Sequence, residues 1–243
     1  MNKVAVVSGG SNGIGKSIVK LLRKKNITVY NLDIQTDECD HYLKCNLANK
    51  EEVNECIMQI IRDEHTIDYL VSSAGIHFSG NIEQTTYDDF NRVLQINVGG
   101  TFNLLKAVLP YMKKNNAGKI VLLGSDQSKI AKPNSSCYNL SKHAIASLAK
   151  TTAIDYAKHN ILVNAVCPGT IETPLYHNAI EKYAKKNNIQ HIEQLHEEEA
   201  KLQPLNRIGQ PDEVAELIYF LLSDKNKYIT GSLQMIDGGF TAI

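Results

Sequence analysis

The stretch Lys3-Val4-Ala5-Val6-Val7-Ser8-Gly9-Gly10-Ser11-Asn12-Gly13-Ile14-Gly15 decides the fold. Lys3 to Val7 reads as a fully buried strand, an apolar run closed by a turn signal. The glycines form a tight turn, and Ile18, Val19, Leu21 and Leu22 then follow at helical spacing. In such a unit, backbone without Cβ atoms can approach a pyrophosphate, and the first helical amides with the positive end of the helix dipole stabilise its charge. Gly9, Ser11, Asn12, Gly13, Ile14 and Gly15 are the candidate contacts. The spacing is G-x-x-x-G-x-G rather than G-x-G-x-x-G, so the cluster by itself equally fits an ordinary tight turn.

The next strand, Thr28 to Leu32, ends in Asp33, whose carboxylate can accept hydrogen bonds from the adenosine ribose hydroxyls of NAD and would repel a phosphate there. Neither Ile34 nor Gln35 offers a cation for the additional phosphate of NADP, so NAD is the expected cofactor. As a lone residue, Asp33 also fits a strand-end turn.

Further along lies Tyr138-Asn139-Leu140-Ser141-Lys142, preceded by Ser125. On a helix Tyr138 and Lys142 share a face. A free phenol titrates near 10 and is a poor base at neutral pH; lowering that by about three units needs roughly 4 kcal/mol of differential stabilisation. A neighbouring lysine cation pushes in that direction. The pair alone equally fits a solvated helix face.

Strand patterns recur at His41 to Cys45, Asp68 to Ser72, Lys119 to Leu123, Ile161 to Val166 and Leu233 to Ile236. Helical patterns cover Ile14 to Lys25, Lys50 to Asp63, Tyr87 to Met112, Tyr138 to Lys158 and Pro211 to Leu222. The alternation predicts one α/β domain over residues 1–243: a mostly parallel seven-stranded sheet with helices on both faces. Ligands in such sheets lie beyond the carboxyl ends of the strands, where Gly9 to Gly15, Asp33, Ala74-Gly75, Ser125 and Pro168-Gly169 fall. Leu175 to Leu205 breaks the alternation. It is long, polar and flanked by prolines, which predicts an inserted helical lid or, equally, a solvated helical excursion.

The 26 basic and 26 acidic side chains cancel, which removes the electrostatic case for nucleic acid or an anionic membrane surface. Five cysteines without a CxxC pair predict no disulfide framework and fit a reducing cytoplasm. Met1-Asn2-Lys3 leads straight into a strand, so no signal peptide is expected, and no apolar run reaches membrane-spanning length. The eight histidines are scattered, and no metal site is assigned.

With these residues assembled, the chain resembles the short-chain dehydrogenase/reductase family over essentially its full length. Asn97, Ser125, Tyr138 and Lys142, the segment Pro168-Gly169-Thr170-Ile171-Glu172-Thr173-Pro174, and the ending Ile229-Thr230-Gly231 with Asp237-Gly238-Gly239 carry the resemblance beside the glycine turn. It implies a three-layer, doubly wound Rossmann-type fold and an NAD(P)-dependent oxidoreductase. In this reading Tyr138 is general base toward an alcohol or general acid toward a ketone, and Ser125 orients that oxygen. Lys142 lowers the phenol pKa and holds the nicotinamide ribose, while Asn97 anchors a proton relay. The resemblance extends cofactor contact to Asn46, Leu47, Ala74, Gly75, Pro168, Gly169, Thr170, Ile171 and Thr173, and it implies a homotetramer. The helices containing Asn97 and Tyr138 and the segment Gly231 to Ile243 are candidate contact surfaces, although Leu104, Leu105 and Val108 equally suit the domain's own core.

Two departures bear on the cofactor: Ser72-Ser73-Ala74-Gly75 replaces Asn-Asn-Ala-Gly, and Asn46 stands where an aspartate usually meets the adenine. The loop Gly124-Ser125-Asp126-Gln127-Ser128 and nearby His77 are polar, which favours a small hydroxyl-rich or anionic substrate. Ser125, Gln127, His77 and Tyr138 are the expected substrate contacts, with Asp126 a further one, and Pro133 to Ser136, Glu172, Tyr176 and His177 are candidates for the wall. Cys167 is expected in the core. A sugar, sugar acid or polyol dehydrogenase is the leading expectation. The alternatives are an NADPH-dependent 3-oxoacyl thioester reductase and an NAD-binding protein without turnover.

Overall fold

A computed structural model describes residues 2–37 and 39–242; Met1 and the last residue of the Gly231 to Ile243 segment lie outside the described residues. β1 (Val4–Ser8) leads through the glycine turn into α1 (Gly13–Lys24), and β2 (Thr28–Asp33), β3 (Tyr42–Lys44), α2 (Lys50–Glu64) and β4 (Tyr69–Ser72) follow. Next come α3 (Tyr87–Leu94), α4 (Gly100–Asn115), β5 (Gly118–Leu123), α5 (Ser136–Tyr156) and β6 (Ile161–Pro168). The chain continues through α6 (Pro174–Lys186), α7 (Ile192–Leu202), α8 (Pro211–Leu222) and β7 (Leu233–Ile236).

The strands form one sheet of seven in the order β3-β2-β1-β4-β5-β6-β7, and every pairing is parallel, which sharpens the expected "mostly parallel". β1 shows why. All five residues are buried, with Val4 and Val6 facing one helix layer and Ala5 and Val7 the other. The first layer packs α2, α4 and α5 on the sheet, burying Ile57, Leu104, Val108 and Ile145; the second packs α1 and α8, burying Ile18, Leu22, Ile218 and Leu222. Leu104, Leu105 and Val108 therefore serve the domain's own core, and Cys167 is buried there as expected. Strand order reverses between β1 and β4, and such a switch point opens a crevice at the carboxyl ends.

The helix expected over Tyr87 to Met112 is interrupted. Gln95–Gly99 winds as a π turn between α3 and α4, and Asn97 sits inside it. Such bulges widen a helix locally and mark functional positions. The polar excursion is a pair of helices, α6 and α7, with a small core of its own around Ile180, Ala184 and Leu195.

Candidate active site

The glycine turn is built by exclusion of side chains. A Cβ on Gly15 would lie 2.0 Å from Gly9 O, and one on Gly9, at φ +69°, would lie 2.7 Å from Ala74 Cα. Only glycine lets α1 start this close to β1 and to the loop after β4. The N-terminus of α1 has no side-chain cap and no acidic residue in its first turn, so its amides and dipole remain available to an anion. Thr173, at the end of the loop after β6, packs within 3.2 Å of where a Gly13 Cβ would be, so that loop closes over the turn. These features fit the pyrophosphate of a dinucleotide.

Asp33 accepts from Ser11 N at 3.1 Å and Gln35 N at 3.0 Å, which ties the end of β2 to the turn. Sequence reading overlooked Asn31. Fully buried, it accepts from Gly10 N at 2.9 Å and donates to Ser11 Oγ at 3.1 Å and Asp37 Oδ2 at 2.9 Å. An asparagine inside the strand pattern Thr28 to Leu32 was its one available signal. Asn46 Oδ1 accepts from Ala48 N at 3.1 Å, folding its own turn, while the Leu47 side chain packs into the core against Gly100. The Leu47 side chain is thus taken up by the core.

Across the crevice, Tyr138 and Lys142 stand on one face of α5, with the ammonium 5.7 Å from the phenol ring centre. Lys142 is 7% exposed and donates to Leu123 O at 2.9 Å. Burial lowers it to about 8, offset in part by Cys167. The expected lowering of the Tyr138 phenol is not what this geometry produces. Burial pushes it well above its ordinary value, Asp126 adds to that, and only the hydrogen-bonding Ser125 hydroxyl pulls the other way. Asn97 accepts from Ile76 N at 2.8 Å and donates to Ile76 O at 3.0 Å and Ser141 Oγ at 3.1 Å, fixing the loop after β4 against α5. Ser125, Tyr138, Lys142 and Asn97 are thus gathered at the carboxyl ends of β4 and β5, beside the glycine cradle.

A family model described as enoyl-(acyl carrier protein) reductase matches residues 9–241. The chain is 35% identical over 253 aligned positions to the oxidoreductase UcpA of Salmonella typhimurium, covering 98% of this chain and 94% of that one. It belongs to the short-chain dehydrogenase/reductase family. A second member, the 3-oxoacyl-[acyl-carrier-protein] reductase FabG of Thermotoga maritima, is 33% identical, with 98% of this chain and 97% of that one covered. Aldohexose dehydrogenase of Thermoplasma acidophilum superposes with a TM-score of 0.93 at 34% identity, covering 100% of this chain and 95% of that one. The chain is accordingly an NAD(P)-dependent short-chain dehydrogenase/reductase acting on CH–OH groups.

In this dehydrogenase/reductase the wall facing Tyr138 is polar. The His77 ring meets the phenol edge-on at 4.8 Å between centres. Gln127 is 6% exposed and accepts from Ser135 Oγ at 2.5 Å, which fixes its amide. Asp126 is not the expected substrate contact: it is 2% exposed, accepts from Ser125 Oγ at 2.6 Å and pairs with Lys132 at 2.7 Å. Thr173 Oγ1 caps α6, accepting from Tyr176 N at 3.2 Å. Tyr176 reaches His196 of α7 at 2.6 Å and so ties the helical pair together, while His177 of α6 pairs with Glu172 in the loop before it. Thr170 donates to Glu199 Oε2 at 3.3 Å, and Ile171 is buried against α8. Among the described residues no cluster is arranged to hold a metal ion.

Proposed function

We propose that this enzyme uses NAD to oxidise a secondary alcohol to a ketone on a small polar substrate, a sugar, sugar acid or polyol, and runs the reverse reaction under reducing conditions. The observation that carries the reading is the polar wall around Tyr138: His77 on its edge and the buried, oriented Gln127. An apolar substrate would leave the His77 ring nitrogens and the Gln127 amide nitrogen without partners, at a few kcal/mol. Kinship with an aldohexose dehydrogenase supports the same class.

The nicotinamide, when bound, accepts the hydride. The chain's own groups handle the proton. Tyr138 Oη, in its phenolate form, takes it from the substrate hydroxyl and becomes the phenol, Ser125 Oγ holds that oxygen in place, and Lys142 supplies positive charge beside the ring. Gly9 to Gly15 would hold the pyrophosphate, and Asp33, with two lone pairs beyond its amide bonds, would take the adenosine ribose and disfavour a phosphate there. α6 and α7 would act as the substrate lid. A groove lined by Leu94 at the end of α3, Val98 in the π turn that follows, and Leu140 and Ala144 on α5 suits a second copy, in keeping with a homotetramer. We place the enzyme in a reducing cytoplasm, where its five buried thiols would stay free.

The test is NADH formation by the purified protein with NAD or NADP across sugars, sugar acids, polyols and simple secondary alcohols, with Tyr138→Phe as control. Activity on one polar class that vanishes in the control supports the reading. The FabG relative favours a second reading, NADPH-dependent reduction of a 3-oxoacyl thioester. A preference for NADPH with an acyl thioester would replace the first with the second, and NAD binding without turnover on any of these would point to a non-catalytic role.

A further inference from the structure

Ser125 has one hydroxyl proton and two oxygens beside it that can receive it. One belongs to Tyr138; the other is Asp126 Oδ1, 2.6 Å from Ser125 Oγ. Asp126 is oriented for this. Its Oδ1 also accepts from Gln127 N at 2.8 Å, and the amide of Gln127 reaches Ser125 Oγ at 3.2 Å as well, so the turn Asp126–Ser128 fixes the carboxylate and the serine together. Ser128 Oγ completes the brace, accepting from Ser125 N at 3.2 Å and donating to Lys142 O at 2.8 Å.

The charge on Asp126 is compensated from one direction. Lys132 Nζ stands 2.7 Å from Oδ2, and that oxygen has no aligned hydrogen bond among the described residues. Lys132 is itself held with its ammonium 4.6 Å from the ring centre of Phe240, near the C-terminus. A buried carboxylate one residue from the serine is thus balanced by a cation borrowed from outside the crevice.

We propose that Asp126 is a positioning residue for proton transfer: with Lys132, it decides which oxygen the Ser125 hydroxyl serves, and so sets the pH at which Tyr138 passes from acid to base. With the Ser125 hydroxyl donating to Asp126, Ser125 Oγ faces Tyr138 as an acceptor and steadies the protonated phenol. When that hydrogen bond is given up, the same hydroxyl turns to donate to the phenolate. The charge of Asp126 adds to the effect through space, in line with the upward pressure it exerts on the phenol. The other groups facing this centre are Lys142 on α5, His77 after β4, Cys167 on β6 beside Lys142, and Lys182 on α6 beside His77. None of them hydrogen-bonds the Ser125 hydroxyl among the described residues; the Cys167 thiol meets the Ser125 backbone and the Ser128 side chain instead.

The inference rests on Tyr138 as the acid–base group, but its test needs no substrate. Phenolate absorbance of the full chain is followed in pH jumps, and the Tyr138 signal is isolated by subtracting the matching Tyr138→Phe protein. In Asp126→Asn the Tyr138 midpoint should fall by about one pH unit or more. In Lys132→Met, which leaves Asp126 uncompensated, it should move up or out of range. A midpoint that stays put or rises in Asp126→Asn overturns the proposal. Should Asp126→Asn fail to fold, an unchanged or lowered midpoint in Lys132→Met overturns it instead. A residue that only braced the loop would lower activity without moving these midpoints in opposite directions. Failure of the substrate panel leaves this readout untouched.

Discussion

Asn97 clamps Ile76 at both backbone polar groups, accepting from its N–H at 2.8 Å and donating to its carbonyl at 3.0 Å. One side chain in a π turn thereby replaces the strand pairing that the chain loses when it leaves β4. Asn97→Ala orphans both groups, at about 1–3 kcal/mol where water cannot reach them. Urea unfolding should show a loss of about 2 kcal/mol, and turnover should drop at least tenfold because the loop carrying His77 loosens. Full turnover with unchanged stability would remove Asn97 from the site.

Asp33 ties the glycine turn to β2 through Ser11 N and Gln35 N, and both of its oxygens keep lone pairs for a ribose. Asp33→Asn preserves size and one acceptor but removes the charge. The ratio of kcat/KM for NADP over NAD should therefore rise roughly tenfold or more, the scale of about 1.4 kcal/mol of relieved repulsion. An unchanged ratio would mean that Asp33 serves the turn alone.

Lys142 is a cation held where water is excluded. In the unfolded chain it titrates near 10.5, in the folded chain at about 8. Below about 8 both states carry the proton, and the folded state bears the whole desolvation penalty, roughly 3 kcal/mol. Between the two values the unfolded chain binds more protons, so stability from this site rises with pH and is fully recovered above 10.5. Lys142→Met also gives up the bond to Leu123 O, about 1 kcal/mol. The variant should be more stable than the parent by about 2 kcal/mol at neutral pH, lose that advantage toward pH 10.5, and be inactive. Lower stability at neutral pH would show that the buried charge is well solvated by the protein.

What the sequence made legible follows its periodicity. β1 could be read because burial on both faces leaves an unbroken apolar run, and the glycine turn because backbone crowding admits no other residue. Tyr138 and Lys142 share a helix face, so their meeting was visible. The π turn was not, since it depends on Asn97 finding Ile76 across the fold rather than on any local pattern. Asn31 was hidden for a similar reason: its partners Gly10 and Ser11 are remote in sequence. Asp126 read as a pocket residue because it is charged and beside Ser125; its burial follows from Lys132, whose approach no spacing announces. The upward push on the Tyr138 phenol is likewise a tertiary effect, set by burial that the Tyr138–Lys142 spacing does not encode.

Gly15 separates crowding from flexibility as the reason for a glycine. Its added Cβ would sit 2.0 Å from Gly9 O and 2.7 Å from Gly9 C, both backbone, so relief requires α1 to move away from the end of β1. That movement would displace the helical amides from any bound pyrophosphate. Gly15→Ala should weaken NAD binding by at least tenfold and destabilise the fold by about 1–3 kcal/mol, the usual scale of overpacking. Gly99 supplies the contrast. It has a helical φ of −59°, and its nearest atom is Leu94 O at 3.8 Å, an ordinary contact. Gly99→Ala should be neutral or stabilising by up to about 1 kcal/mol, because alanine loses less backbone entropy in a helix. Isothermal titration with NAD and thermal melts of both variants check this. Equal tolerance of the two substitutions would mean that the turn can open without loss, and the close approach of α1 to β1 would then have no part in holding the cofactor.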